Sequence, residues 1–204
     1  MNDHYFTSKP RAQHQIQEFS TMLRGTTYVF TTDSGVFSKD EVDLGSRILI
    51  DTLSLEPGAT VLDVGCGYGP IGMVAAQLVG PSGFVYMVDV NERACELAKE
   101  NLAKNGIKHA QVLVSHGLSA LPPDLTFDWV LSNPPIRAGK DVYYKILTDA
   151  FHALKVGGCL MVVIRTKQGA KSLAAYLETL AGHCETIEKK AGFRSLAEDI
   201  DTTT

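Results

Sequence analysis

The sequence predicts an α/β protein with a doubly wound, mostly parallel sheet. Three observations carry that prediction. From about residue 58, strand-like and helix-like segments alternate. The first of these strands ends in a run of glycines. Near the other end, Cys159–Arg165 holds an unbroken apolar run from Cys159 to Ile164, as expected of a strand covered on both faces.

The elements follow in order. Phe19–Leu23 and Thr27–Thr31 flank Arg24-Gly25-Thr26 and read as a hairpin. Val42–Leu53 reads as a helix. Thr60–Val64 is a short apolar strand, and Pro70–Leu78 has helical spacing. Phe84–Val88 is a strand ending at Asp89. Glu92–Lys104 is an amphipathic helix with Ala94, Leu97, Ala98 and Leu102 on one face, stopped by Asn105-Gly106. Gln111–Ser115 and Phe127–Ser132 are strands. Asp141–Leu154 is a helix closed by Val156-Gly157-Gly158. Ala170–Leu180 is a helix, and Cys184–Lys189 and Phe193–Glu198 are short strands. That makes seven strands after residue 58. Residues 1–50 fall outside the alternation and read as an N-terminal extension packed on a domain of residues 51–200.

The 204 residues are 45% hydrophobic and 21% charged, which excludes a disordered, collagen-like or small disulfide-stapled chain. The four cysteines, at 66, 95, 159 and 184, form no CxxC pair, and no metal-ligand spacing appears. Free, buried or partly buried thiols are expected. No secretory pattern opens the chain, and no apolar run approaches the roughly 20 residues of a membrane helix, so a cytoplasmic location and no membrane partner are expected. The net charge of −4 does not announce a nucleic-acid binder, although a local basic patch can hide in it.

Ligands of doubly wound sheets bind beyond the carboxyl ends of the strands. One such end carries Val61-Leu-Asp-Val-Gly-Cys-Gly-Tyr-Gly-Pro-Ile-Gly72. Its glycines permit a sharp turn and a close approach of ligand to backbone, and the helix that follows should offer N–H groups. Gly67–Gly72 fits GxGxxG, and Asp89 stands where a ribose-binding acid is expected. That segment alone leaves a nicotinamide enzyme and an S-adenosylmethionine enzyme both open. Two details separate them. Asp63, placed at the mouth of the loop, would repel a pyrophosphate and attract the ammonium of a methionine moiety. Asn133-Pro134-Pro135-Ile136, which follows the fourth strand, has no use in hydride transfer.

The two prolines stiffen that segment and remove N–H donors, leaving a run of acceptors. Such a corner suits a substrate that presents an NH2 group. The Asn133 side-chain oxygen and the Pro134 carbonyl would each accept one N–H, turning the nitrogen lone pair toward a methyl sulfonium. Catalysis would then be mainly positioning.

The combination of VLDVGCGYG, VDVN (88–91) and NPPI resembles class I S-adenosylmethionine-dependent methyltransferases that modify exocyclic or amide nitrogens. Within that class, Gly35-Val-Phe-Ser-Lys-Asp-Glu-Val-Asp-Leu-Gly-Ser46 resembles the GVFS…D-x-G-S signature of the methyltransferase small family, which includes ribosomal RNA guanine-N2 methyltransferases. NPPIRAGK (133–140) and TKQGA (166–170) are similar to the same family, and the resemblance spans about residues 4–190. It implies a seven-stranded Rossmann-like methyltransferase sheet with S-adenosylmethionine as cofactor. It also implies roles. Asp63, Gly65, Cys66, Gly67 and Gly69 would hold the methionine part, and Asp89 with Val90 the ribose. Ser115 and His116 would flank the adenine, although the usual residue there is an acid. Phe37 and Ser38 would cover the cofactor. Asn133, Pro134, Pro135 and Ile136 would receive the base. Relatives that methylate adenine or a protein glutamine carry an aromatic residue where Ile136 stands, which tilts the target toward guanine.

Arg137, Lys140, Lys145, Arg165 and Lys167 fall on or just after the same rim, where phosphate contacts would let an acidic protein hold RNA. The base would have to be extruded or single-stranded to reach the pocket. The expected function is methyl transfer to an exocyclic base amine in RNA, with guanine N2 of ribosomal RNA, free or in a ribosomal particle, as the leading target. The rivals are a protein-glutamine or adenine-N6 methyltransferase and a non-catalytic RNA-binding module on the same fold.

Overall fold

The computed structural model describes residues 15–33, 41–134 and 139–199. Its order is β1 (Ile16–Leu23), β2 (Thr26–Asp33), α1 (Leu44–Thr52), β3 (Thr60–Val64), α2 (Pro70–Val79), β4 (Phe84–Asp89), α3 (Glu92–Lys104) and β5 (Ala110–Val114). There follow β6 (Phe127–Ser132), α4 (Lys140–His152), β7 (Leu154–Arg165), α5 (Ala170–Ala181), β8 (Glu185–Lys190) and β9 (Phe193–Asp199). β3 to β9 form one seven-stranded sheet in the order β5-β4-β3-β6-β7-β9-β8, and β1 and β2 form a separate hairpin. Every pair from β5 to β7 is parallel, and β9 is antiparallel to both of its neighbours. The fold is the doubly wound one that the alternation predicts and the seven-stranded, Rossmann-like one that the resemblance implies.

The chain leaves β3 toward β4 and β5 on one side and returns to β6 and β7 on the other. The loops after β3 and β6 therefore diverge, and the crevice between them is where such sheets bind ligands. α1, α2 and α3 cover one face, with Ile48, Leu49, Met73 and Ala98 packed toward Met87, Leu131 and Val163. α4 and α5 cover the other, with Leu147, Phe151, Leu173 and Leu177 against Val130, Leu160 and Val162.

The hairpin is fastened by two side chains four residues apart, Asn101 in the last turn of α3 and Asn105 at its C-cap. The Asn105 amide accepts from the Val29 N–H and donates to the Val29 carbonyl, and Asn101 does the same for Thr31. Two amides thus finish the exposed edge of β2 as another strand would. A buried ion pair between Arg93 and Asp33 adds to this. Arg24, in the turn between β1 and β2, donates to the carbonyls of Ile50, Asp51 and Leu53, and so caps the end of α1. A domain boundary at residue 50 falls inside that helix, which runs to Thr52.

Most boundaries shift by a residue or two, and one region differs in kind. The Val156-Gly157-Gly158 segment does not separate a helix ending at Leu154 from a strand starting at Cys159. α4 stops at His152, and β7 already begins at Leu154, which pairs with Phe127. The register slips between Phe127 and Trp129. A Cβ on Gly158 would lie about 3 Å from the carbonyls of Lys155, Phe127 and Asp128. The glycine serves a bulge within the strand rather than a helix stop.

Candidate active site

The loop after β3 is built from backbone bonds and two carboxylates. The N–H groups of Gly65 and Cys66 both donate to the Val88 carbonyl, at 2.8 and 3.0 Å. The Asp89 carboxylate accepts from Gly67 N–H and from Asn91 N–H, each at 2.9 Å. Asn91 in turn caps α3 by accepting from the N–H groups of Arg93 and Ala94. A Cβ on Gly72 would stand within 2.7 Å of the Met87 side chain, so this glycine lets α2 lie on β4.

Asp63 is not at the mouth of the loop. It is fully buried beneath it, and its Oδ2 accepts from Gly72 N–H at 2.8 Å. The start of α2 is therefore not an open row of donors, because Pro70 has no N–H and the Gly72 N–H is taken by Asp63. The other carboxylate oxygen, Oδ1, is buried with no hydrogen-bond partner among the described residues. Burial, reinforced by the nearby charge of Asp89, pushes the Asp63 carboxyl up to about 7, against the single Gly72 bond that favours its charged form. The hydrogen bond to Cys95, together with burial, holds the Cys66 thiol well above its ordinary range, so Cys66 stays protonated.

A cavity of about 480 Å³, within the range of small-molecule and cofactor sites, opens beyond the carboxyl ends of β3 to β6. It brings together Gly65, Asp89, Val90, Ser115, His116 and Pro134 of the residues expected at the site. Asp63, Cys66, Gly67 and Gly69 lie behind this wall, because the loop folds back on itself. The Ser115 hydroxyl donates to the Gly117 carbonyl and accepts from Ala120 N–H, so it shapes the loop that presents the exposed His116. The far wall is α4, through Val142, Tyr143 and Ile146, which the sequence reading did not assign to the site. Lys145, expected on the RNA rim, lines this cavity and pairs with Asp149.

Asn133 follows β6 on the α1 side. Its amide nitrogen donates to Asp43 Oδ1 at 3.0 Å and to Ser46 Oγ at 2.9 Å. The Ser46 hydroxyl donates to Asp43 Oδ2 and the Ser46 N–H to Asp43 Oδ1, so the direction of every bond is fixed. With its nitrogen held, Asn133 keeps its oxygen as the free acceptor. In the sequence, Asp43 and Ser46 belong to a signature that gives them no role. Gly45 lies between Asn133 and β9, and a Cβ there would sit 3.2 Å from the Asn133 amide and 2.9 Å from the Phe193 ring.

Phe37, Ser38, Pro135, Ile136 and Arg137 lie outside the described residues. Of the other expected RNA contacts, the Lys140 ammonium lies 5.0 Å over the Tyr144 ring and the Arg165 guanidinium 5.0 Å over the Phe193 ring. Lys167 is exposed on a single 3-10 turn, Thr166–Gln168. His109, which shows no ligand spacing in the sequence, bonds the Ala76 carbonyl. No helix among the described residues is long and apolar enough to cross a membrane.

The profile of the methyltransferase small domain matches residues 27–197. An uncharacterized protein of Bacillus subtilis, YbxB, is 45% identical over 95% of this chain and 96% of its own length. Ribosomal RNA large subunit methyltransferase G of Shewanella amazonensis is 33% identical over 80% of this chain, which spans 43% of that longer protein. The solved structure of a Thermus thermophilus 16S rRNA N2 G1207 methyltransferase, RsmC, in complex with AdoMet and guanosine superposes with a TM-score of 0.81. It is 27% identical and covers 94% of this chain and 52% of its own. The chain belongs to the methyltransferase small family of S-adenosylmethionine-dependent enzymes.

Proposed function

We propose that the protein transfers a methyl group to an exocyclic amine of a base in RNA, with guanine N2 of ribosomal RNA as the leading target. The observation that carries this reading is the tethered Asn133 amide, whose oxygen is left as an acceptor beside Pro134 in the cavity wall. The rRNA methyltransferases among its relatives, and the guanosine complex of the Thermus enzyme, support the same substrate.

The residues present fit the cofactor. The cavity has the required scale, and the Asp63 carboxylate, buried behind the glycine loop, would attract an ammonium docked on that loop through its charge. Asp89, in the cavity wall at the end of β4, would face the ribose hydroxyls, and His116 and Ile146 would flank the adenine. When bound, S-adenosylmethionine supplies an electrophilic methyl carbon. Asn133 Oδ1 accepts one N–H of the target amine and the Pro134 carbonyl a second. Accepting both turns the nitrogen lone pair out of conjugation and toward the cofactor side of the crevice. The methylated nitrogen would lose its proton to solvent water after transfer, so positioning and electrostatics carry the reaction and no side-chain base is needed.

The experiment is transfer of tritiated methyl groups to total RNA followed by nucleoside analysis. A labelled N2-methylguanosine peak is expected. Label in N6-methyladenosine, or in protein glutamine alone, would replace the guanine reading. Binding of S-adenosylmethionine with no transfer to any acceptor would favour a non-catalytic module.

A further inference from the structure

Residues 165–194 carry a net charge of +3, while the rest of the chain carries −7. The sheet gathers these cations at one place. β8 runs parallel to β7, so its last residues stand on the same rim as the loop after β6. Lys190, Phe193 and Arg165 are register partners across β8, β9 and β7 and share one face. That face is the α1 side, since Phe193 packs in the core there and touches Gly45 beside Asn133. Lys189 and Arg194 are partners on the opposite face, and Lys167 and Lys171 stand at the start of α5.

Among the described residues no salt bridge neutralises any of these six cations. Glu188, the neighbouring acid, accepts the Lys189 backbone N–H instead. Lysines on an edge strand also discourage edge-to-edge pairing. That purpose does not call for Arg165, Lys167 or Lys171, which are off the edge. Arg165 lies over the Phe193 ring, which leaves its planar fork of donors free for a phosphate.

We propose that this end of the sheet, formed by Arg165, Lys190 and the Lys189–Arg194 pair with Lys167 and Lys171, docks the phosphate backbone of the RNA whose base enters at Asn133. The inference rests on the RNA reading above and deepens it. The cofactor cavity opens on the β3–β5 side of β6 and the cation cluster on its β7–β9 side, so the strand backbone and the cofactor lie toward opposite ends of one rim, with the Asn133–Pro134 corner between them. The nucleotide backbone runs over the antiparallel end, and one base reaches back to Asn133. Contacts of this kind are independent of base sequence and position the strand.

The test measures binding of a short fluorescein-labelled single-stranded RNA of mixed sequence over a range of salt concentrations. Lys189→Glu/Lys190→Glu is compared with Lys99→Glu/Lys108→Glu, an equal charge change on exposed residues near the far edge of the sheet. The first variant should bind about 10-fold more weakly or worse, and its log–log salt slope should shrink by roughly 0.7 for each phosphate that is no longer neutralised. The second should shift affinity by less than about 2-fold, as expected of charges remote from the bound strand. S-adenosylmethionine affinity, read by calorimetry, should be unchanged in both and shows that the fold is intact. Equal RNA affinity in the two variants would overturn the surface while leaving RNA as substrate. A wild-type protein that binds S-adenosylmethionine but no RNA would overturn the RNA reading and the surface with it.

Discussion

The two walls of the crevice are held in different ways. On the cofactor side, Asp63 and Asp89 fasten the glycine loop through backbone N–H groups only 9 and 22 residues away. On the target side, Asp43 and Ser46 hold Asn133 from 90 and 87 residues away, through side chains alone. The first wall is a local device that a strand–turn–helix unit carries by itself. The second exists only after α1 has docked on the sheet. A change in the first should therefore register in cofactor affinity, and a change in the second in the rate of transfer.

The largest expected effect breaks the second wall alone. Asn133→Ala should lower methyl transfer by about 100-fold or more with S-adenosylmethionine affinity nearly unchanged, measured by initial rates and calorimetry. A variant with wild-type rates would remove Asn133 from the site.

Asp63 gives the converse. Burial pushes its carboxyl up to about 7, and in the proposed role only the charged form would attract the ammonium. The affinity for S-adenosylmethionine should thus fall as pH drops below that value, approaching about 10-fold per pH unit. Stability moves the other way. The folded-state value lies above the unfolded one, so folding is most favoured at low pH, and that advantage is lost as pH rises from the ordinary carboxylate range to about 7. Asp63→Asn keeps an acceptor for Gly72 N–H and removes the buried charge. It should weaken cofactor binding about 10-fold while raising Tm by about 3 °C at alkaline pH. A lower Tm there would show that the charge is compensated in the folded protein.

Ser46→Ala leaves the Asp43 N-cap in place but frees one Asn133 N–H. Transfer should drop about 5- to 10-fold, close to 1 kcal/mol, with cofactor affinity unchanged. The effect should vanish in the Asn133→Ala background, an outcome that a merely structural role would not give. The smallest change is Gly45→Ala. Helix propensity favours alanine by up to about 1 kcal/mol. Its methyl would nevertheless press on Phe193 and the Asn133 amide, so turnover should fall about 3-fold while thermal stability holds, by melting and initial-rate measurements.

The parallel core was legible because each part leaves a local mark. The apolar run before Gly65, the spacing to Asp89, the Asn91 cap and the amphipathic face of α3 all lie within 45 residues of one another. Cavity-lining residues such as Val90 and His116 could be named for the same reason, since each follows closely on the end of a strand. Val142 and Ile146 could not, because on α4 they read as ordinary apolar positions. The depth of Asp63 was misjudged because sequence shows a carboxylate near a loop but not which way the loop folds.

The doubly wound sheet, the crevice at its switch point and the acceptor-rich 133–134 corner follow from local pattern, because periodicity, glycine spacing and the missing N–H of proline are properties of neighbouring residues. That Asp43 and Ser46 orient Asn133, that Arg24 caps α1, and that cations from β7, β8, β9 and α5 meet at one rim emerges only in the folded chain. Those relations are set by packing between segments far apart in the chain, and such distances leave no period in the sequence.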